Sequence, residues 1–209
     1  YYQSGEAERA IALLDNLIEM DPDYFSAYML AGQAKLLAGD DEAAYSTFLD
    51  GIGRDEYDKG LHLSAGKCAL KLNRIQEAET HLKEALVLDP EYIDAFIVLA
   101  SLYNEQERDI ELLELLSYAE AEKDDIALLK AFLAYAYERT EQYVDAYKSY
   151  VKAYSGMKED HEFLANYANF LVEEGKRSEA VDVIQQLVTL FPEDQTWRAF
   201  LEAQTDEGV

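Results

Sequence analysis

Small and large apolar residues recur along this chain on a fixed beat. Frames of 34 residues opening at positions 25, 59, 93, 127 and 161 align without insertion or deletion. The eighth place of each is small: Gly32, Gly66, Ala100, Ala134 and Ala168. The twentieth holds Ala44, Ala78, Leu112, Ala146 and Ala180, and the twenty-fourth is large and apolar (Phe48, Leu82, Leu116, Tyr150, Ile184). The twenty-seventh holds Gly51, Ala85, Ala119, Ala153 and Leu187. Antiparallel helices approach closely only where side chains are small, and a bulky neighbour must fill the space beside that contact. The pattern predicts a helix pair in every frame. Ala44 and Ala78 would nestle on Gly32 and Gly66, with Phe48 and Tyr150 reaching into the next pair. Proline supplies an independent ruler: Pro22, Pro90 and Pro192 stand two and then three periods apart, each after an amphipathic stretch that it terminates.

Phe96, Leu99-Ala100, Tyr103 and Ala119 in the third frame, and Leu133-Ala134, Tyr137, Ala146, Tyr150 and Ala153 in the fourth, resemble the tetratricopeptide-repeat (TPR) signature. The resemblance implies an all-α fold, a right-handed α-α superhelix (TPR solenoid) of antiparallel helix pairs, with about 5.5 repeats plus a C-terminal capping helix. As one domain over residues 1–209 it divides into a half repeat 1–24, repeats 25–58, 59–92, 93–126, 127–160 and 161–194, and a capping helix and tail 195–209. Tyr1, Gly5, Ala10, Leu14 and Pro22 fit the back half of a preceding repeat, so the chain reads as a piece of a longer protein, with a removed signal or anchor left open. Trp197, Phe200 and Leu201 give the cap one apolar stripe. Departures from the family pattern are Lys35, His62 and Lys130 at large apolar places, Leu112 at a small one, and Glu56, Asp124 and Lys158 where proline would stand.

Composition narrows the function. The chain is 49% apolar with 16 Tyr and 8 Phe, ample for a core, and its net charge is −25. Such charge repels phosphate backbones and anionic membranes; it suits a basic partner or serves solubility. No apolar run reaches the roughly 18 residues of a membrane span. The single Cys68 excludes an internal disulfide framework and suits a reducing, cytoplasmic setting. It reads as a small buried hydrophobe. His62, His81 and His161 do not cluster in the frame and none has a partner at metal-ligand spacing, so they read as structural or surface residues. Gly51-Ile52-Gly53 lacks the strand and Lys of a phosphate loop and reads as a helix end. Asp40-Asp41-Glu42 suits a helix start and lacks calcium-loop spacing. Tyr28, Tyr103, Tyr137, Tyr143 and Tyr150 fall at large core places. No catalytic constellation, metal, cofactor or nucleic acid is expected.

In TPR proteins the first helices line a concave face that serves as a peptide groove. Carried over, this places Met29, Gln33, Leu36, Leu63, Lys67, Lys71, Ile97, Ser101, Asn104, Leu128, Tyr135, Arg139, Asn169 and Val172 on that face, with Glu138, Glu162 and Glu173 at equivalent places. Met29, Leu63, Ile97, Leu128 and Tyr135 would form an exposed apolar stripe, unless the curl of the array or a preceding helix covers them. Asn166 and Asn169 echo a carboxylate clamp, but Ala165, Ala131 and Ile97 supply no cation, so no clamp is expected. Glu107, Asp109, Glu111, Glu114, Glu120 and Glu122, on or near the second helix of the third repeat, form either a docking patch for a basic partner or a solvated face. The resemblance thus implies a bacterial, non-catalytic scaffold that holds a peptide or helix of a partner protein by apolar contacts with polar specificity. A self-assembling module, and a targeting arm of an enzyme whose catalytic domain lies elsewhere, are the alternatives; the oligomeric state stays open.

Overall fold

The computed structural model describes residues 2–117 and 126–206; Tyr1, Ala119, Glu120, Glu122 and Asp124 lie outside the described residues. Among those described, every element is an α-helix. A single helix α1 (Tyr2–Met20) is followed by five pairs: α2 (Phe25–Ala38) with α3 (Asp41–Ile52), α4 (Lys59–Lys71) with α5 (Ile75–Leu88), α6 (Ile93–Glu105) with α7 (Asp109–Ser117), α8 (Ala127–Arg139) with α9 (Tyr143–Met157), and α10 (His161–Glu173) with α11 (Arg177–Leu190). Helix α12 (Gln195–Asp206) follows. The helices gather into two compact units, Tyr1–Leu102 and Tyr103–Val209.

The turn inside each pair has one backbone solution. Its fifteenth place adopts a left-handed conformation throughout: Gly39 (φ 83°), Asn73 (56°), Glu107 (53°), Glu141 (60°) and Gly175 (68°). The next amide then donates back to the carbonyl five residues earlier, as Asp40 does to Lys35 (3.0 Å), Gln142 to Tyr137 (2.7 Å) and Lys176 to Leu171 (2.8 Å). This closes the helix end by satisfying an orphan carbonyl. Glycine takes that conformation freely, whereas a side chain there costs about 1–2 kcal/mol. Entry to the helices uses aspartate: Asp40 accepts from the Ala43 amide (3.0 Å), Asp58 from Gly60 (2.8 Å) and Leu61 (3.0 Å), and Asp160 from Phe163 (2.8 Å).

In the N-terminal unit the close helix approach is real, but its filler differs from expectation. Phe48 lies directly on Gly32, where a Cβ would stand 2.2 Å from the phenyl ring, while the Ala78 carbonyl closes on Gly66 as expected. Phe48 therefore packs within its own pair, as Leu82 does on Gly66. Lys35 is held at its apolar place by Asp15 (2.8 Å) and Thr47 (2.9 Å). Cys68 is buried, and burial raises its thiol pKa.

The histidines depart from the sequence reading. His62 and His81, nineteen residues apart on α4 and α5, bring their Nδ1 atoms to 3.3 Å. His62 Nε2 lies 3.2 Å from the Glu56 carbonyl, which can only accept. The Nε2–H of His62 therefore donates to that carbonyl, and a neutral His62 ring turns a bare Nδ1 toward His81. The far side of His81 meets the hydroxyl of Tyr45 (3.3 Å), which donates to Glu77 (2.7 Å). Burial and the proximity of His62 lower the His81 pKa below its ordinary value.

The C-terminal unit is organised around Tyr150, which is fully buried. Its ring stacks on Tyr167 at 4.9 Å and meets Phe170 at 5.0 Å and Phe163 at 5.9 Å. Trp197 of α12 joins the same core, with Phe200 and Leu201 packed against it. Lys130, at its apolar place on α8, is 4% exposed. Tyr143 leaves its expected core place and is 44% exposed.

Successive pairs are tied by polar contacts that repeat with the frame. Lys71 bonds Asp41 (2.8 Å), and Arg139 bonds Asp109 in the same register (Nε to Oδ1 2.8 Å). Tyr147 likewise donates to Glu179 (2.7 Å) as Tyr45 does to Glu77.

A polar groove across the first helices of the C-terminal unit

Helices α8 and α10 expose side chains at matching places, and between them runs a groove of about 400 Å³. Tyr135, Glu138 and Arg139 line it from α8; Glu162, Asn166, Asn169 and Glu173 line it from α10. Asn104 and Tyr150 complete the lining. The α10 residues are spaced by four, three and four positions, which sets them along one helix face.

Arg139 is already engaged. Its guanidinium forks onto Asp109, with Nη2 2.5 Å and Nε 2.8 Å from Oδ1, and also reaches Asn104 Oδ1 (3.0 Å). Asp109 is itself largely buried, its side chain 13% exposed, so the pair is a fixed strut between α7 and α8 rather than a free cation. Thus two of the residues expected in a docking patch or solvated face are already paired, Asp109 with Arg139 and Glu111 with Arg108 (2.9 Å).

The three glutamates of the groove are less well compensated. The Tyr150 hydroxyl donates to Glu138 Oε2 at 2.5 Å. Burial nevertheless raises the Glu138 carboxyl above its ordinary value, the charge of Glu173 adds to the rise, and the Tyr150 hydrogen bond and Arg139 pull against it. Burial likewise raises the Tyr135 phenol, and Asn166 bonds its oxygen.

Of the residues placed on this face by sequence, Asn104, Tyr135, Arg139 and Asn169 share the groove. Leu128 on α8 is half-buried, and Val172 on α10 is exposed. In the N-terminal unit the apolar stripe does not form. Leu63 is buried, 6% exposed, and Met29 and Leu36 are half-buried against that unit's core. Ser64 covers Met29, its hydroxyl 3.2 Å from the sulfur. These apolar residues serve helix packing, which is why they do not stand open. Gln33 and Lys67 are exposed, Lys71 is occupied by Asp41, and Ile97 and Ser101 are half-buried. Sequence reasoning set Glu138, Glu162 and Glu173 at inward places without giving them a role, and looked for apolar contact instead. The signal was the row Glu162, Asn166, Asn169 and Glu173 along one face of α10.

Among the described residues no group of three or more His, Cys, Asp or Glu could hold a metal ion, and no helix is long and apolar enough to cross a membrane.

Comparison with known proteins gives the fold a context. The model of YpiA-like C-terminal tetratricopeptide repeats matches residues 129–194, the stretch that carries most of the groove. That of anaphase-promoting complex, cyclosome, subunit 3 matches residues 1–85. A curated relative, the TPR repeat-containing protein YpiA of Bacillus subtilis (strain 168), is 36% identical over 188 residues. The match takes in 90% of this chain and 44% of YpiA, so the chain spans less than half the length of that relative. Among solved structures, PilF of Pseudomonas aeruginosa superposes with a TM-score of 0.77 at 19% identity, covering 97% of this chain and 92% of PilF. YrrB, described as a TPR protein with an unusual peptide-binding site, superposes with a TM-score of 0.72 at 14% identity, covering 91% of this chain and 97% of YrrB. At such identities these structures speak for the fold alone.

Proposed function

The chain belongs to the tetratricopeptide-repeat family, and from that premise we propose that it is a non-catalytic protein-interaction module that binds a segment of a partner protein in the α8–α10 groove. The observation that carries this reading is the groove itself. It is an open cavity on the first-helix face, within the size range of specific ligand sites, and lined by three asparagines. An asparagine side chain presents both a donor and an acceptor, so a row of them can pair with the amide and carbonyl groups of an extended peptide without regard to its side chains. YrrB, of the same fold, is described as having a peptide-binding site, which supports a peptide as the class of ligand.

The groove stands on rigid elements: Tyr150 and the Arg139–Asp109 strut fix both its floor and one wall. A peptide would meet a surface already in its bound shape, and less of its binding free energy would be spent on ordering the site.

The test is a steric block. Asn169 is exposed, so Asn169→Trp fills the groove without entering the core. Partners isolated with the unmodified protein should be lost with Asn169→Trp and kept with Val144→Arg, which alters an exposed position on α9. Retention of every partner by Asn169→Trp would remove the groove as the site.

A further inference from the structure

We propose that the groove seats an arginine side chain of the bound segment, between Glu138 and Glu173, with the segment's backbone running along Asn166 and Asn169. This deepens the reading of the groove as the peptide site and rests on it. Four observations converge on the guanidinium. First, the groove is a cavity with room for a side chain, about 400 Å³, and every residue that lines it carries a polar group. Second, the cation among its lining residues is already engaged: Arg139 is forked onto the largely buried Asp109 and bonds Asn104, and it reaches Glu138 only through its charge. Third, Glu138 is positioned but only partly compensated. The Tyr150 hydroxyl fixes one of its oxygens, and the neighbouring charge of Glu173 works against its ionisation. A cation placed between the two carboxylates would relieve that repulsion, so the free groove is complementary to a positive charge. Fourth, the Tyr135 ring is half-buried in the same wall, its edge set against Tyr150 at 5.9 Å and its hydroxyl bonded to Asn166. A flat cation could lie against that ring while donating to the carboxylates.

The geometry favours arginine over lysine. A guanidinium offers five donors in a plane, so it can serve two carboxylates and stack on an aromatic ring at once, and it loses hydration more readily than an ammonium. An acidic or C-terminal carboxylate ligand would meet Glu138, Glu162 and Glu173 with like charge, which fits the absence of the cations a carboxylate clamp requires.

A random nonapeptide display library panned on the protein tests this, using unmodified chain, Glu138→Gln/Glu173→Gln and Asn169→Trp in parallel. The proposal expects an arginine at one fixed position of the selected peptides. Replacing it with lysine should weaken binding several-fold, and replacing it with glutamine should weaken it about tenfold or more. The glutamate double variant should bind the arginine peptides about as weakly as the unmodified chain binds the glutamine peptide, and raised salt should narrow the difference. Glu138→Gln keeps an oxygen to accept from Tyr150, and urea unfolding followed by Trp197 fluorescence verifies that the variant is folded. Peptides that are lost on Asn169→Trp but carry no preferred basic residue would overturn the arginine seat and leave the groove reading standing. Peptides indifferent to Asn169→Trp, or no selected peptides at all, would overturn both.

Discussion

Replacing Tyr150 with phenylalanine separates the two roles of this residue, core filler and support for the groove. The ring and its stacking on Tyr167, Phe170 and Phe163 remain; only the hydroxyl that donates to Glu138 at 2.5 Å is lost. A hydrogen bond to a charged acceptor contributes about 1.5–3 kcal/mol. Because Glu138 faces an open groove, water can replace part of it, leaving a loss of about 1–2 kcal/mol. Trp197 is the chain's single tryptophan and packs in the same core as Tyr150, so its fluorescence reports on this unit. With a urea slope of about 1–3 kcal/mol per molar, the unfolding midpoint should fall by about 0.3–2 M near neutral pH. The bond favours the ionised carboxylate, so its removal should raise the Glu138 pKa further, and the deficit should shrink as pH falls through the titration of Glu138. An unchanged midpoint, or a deficit that persists unaltered at acid pH, would refute the assignment of Tyr150 as the support of Glu138.

Three further outcomes follow from the same physical reasoning. Gly32→Ala drives a methyl group to within 2.2 Å of Phe48, and although alanine favours helix by about 1 kcal/mol, overpacking should leave a net loss of about 1–2 kcal/mol; Gly32→Ala/Phe48→Leu should recover most of it in thermal unfolding. Glu141→Gly removes a side chain from a left-handed residue and should stabilise the C-terminal unit by about 0.5–1 kcal/mol in the Trp197 urea assay. His81 has a folded pKa below the unfolded value of 6.5, so the unfolded chain binds its proton first; stability should be full above that value and fall as pH drops below it, down to the folded pKa. Circular-dichroism melts between pH 7.5 and 5.5 should show that decline, and His81→Gln should flatten it.

Much of the fold was legible because its constraints are local and repeat. The small–large alternation at Gly32 and Phe48 or Ala134 and Tyr150, and the proline spacing, mark where helices touch and stop. What escaped notice has particular physical reasons. Asn73, Glu107 and Glu141 take a backbone conformation usually signalled by glycine, and only their register with Gly39 and Gly175 betrays them. The His62–His81 contact joins different faces of one pair, where sequence spacing suggests no cluster. Arg139–Asp109 was visible in principle, since Lys71 and Asp41 share its frame places. The register of the first helices placed Asn104, Tyr135, Arg139 and Asn169 on one face, and they line one groove. Leu63 was misplaced because an apolar residue on that face can be claimed by packing before any partner arrives.

The central claim is that the α8–α10 groove receives a partner segment, and the side-chain amides of Asn104, Asn166 and Asn169 can report on it directly. In ¹⁵N-labelled protein titrated with a groove-selected arginine peptide, these three amide pairs should shift together, with one dissociation constant, and the response should vanish in Asn169→Trp for the two that remain. Binding that leaves Asn104, Asn166 and Asn169 unmoved while resonances of the N-terminal unit or of α9 and α11 shift would contradict the account.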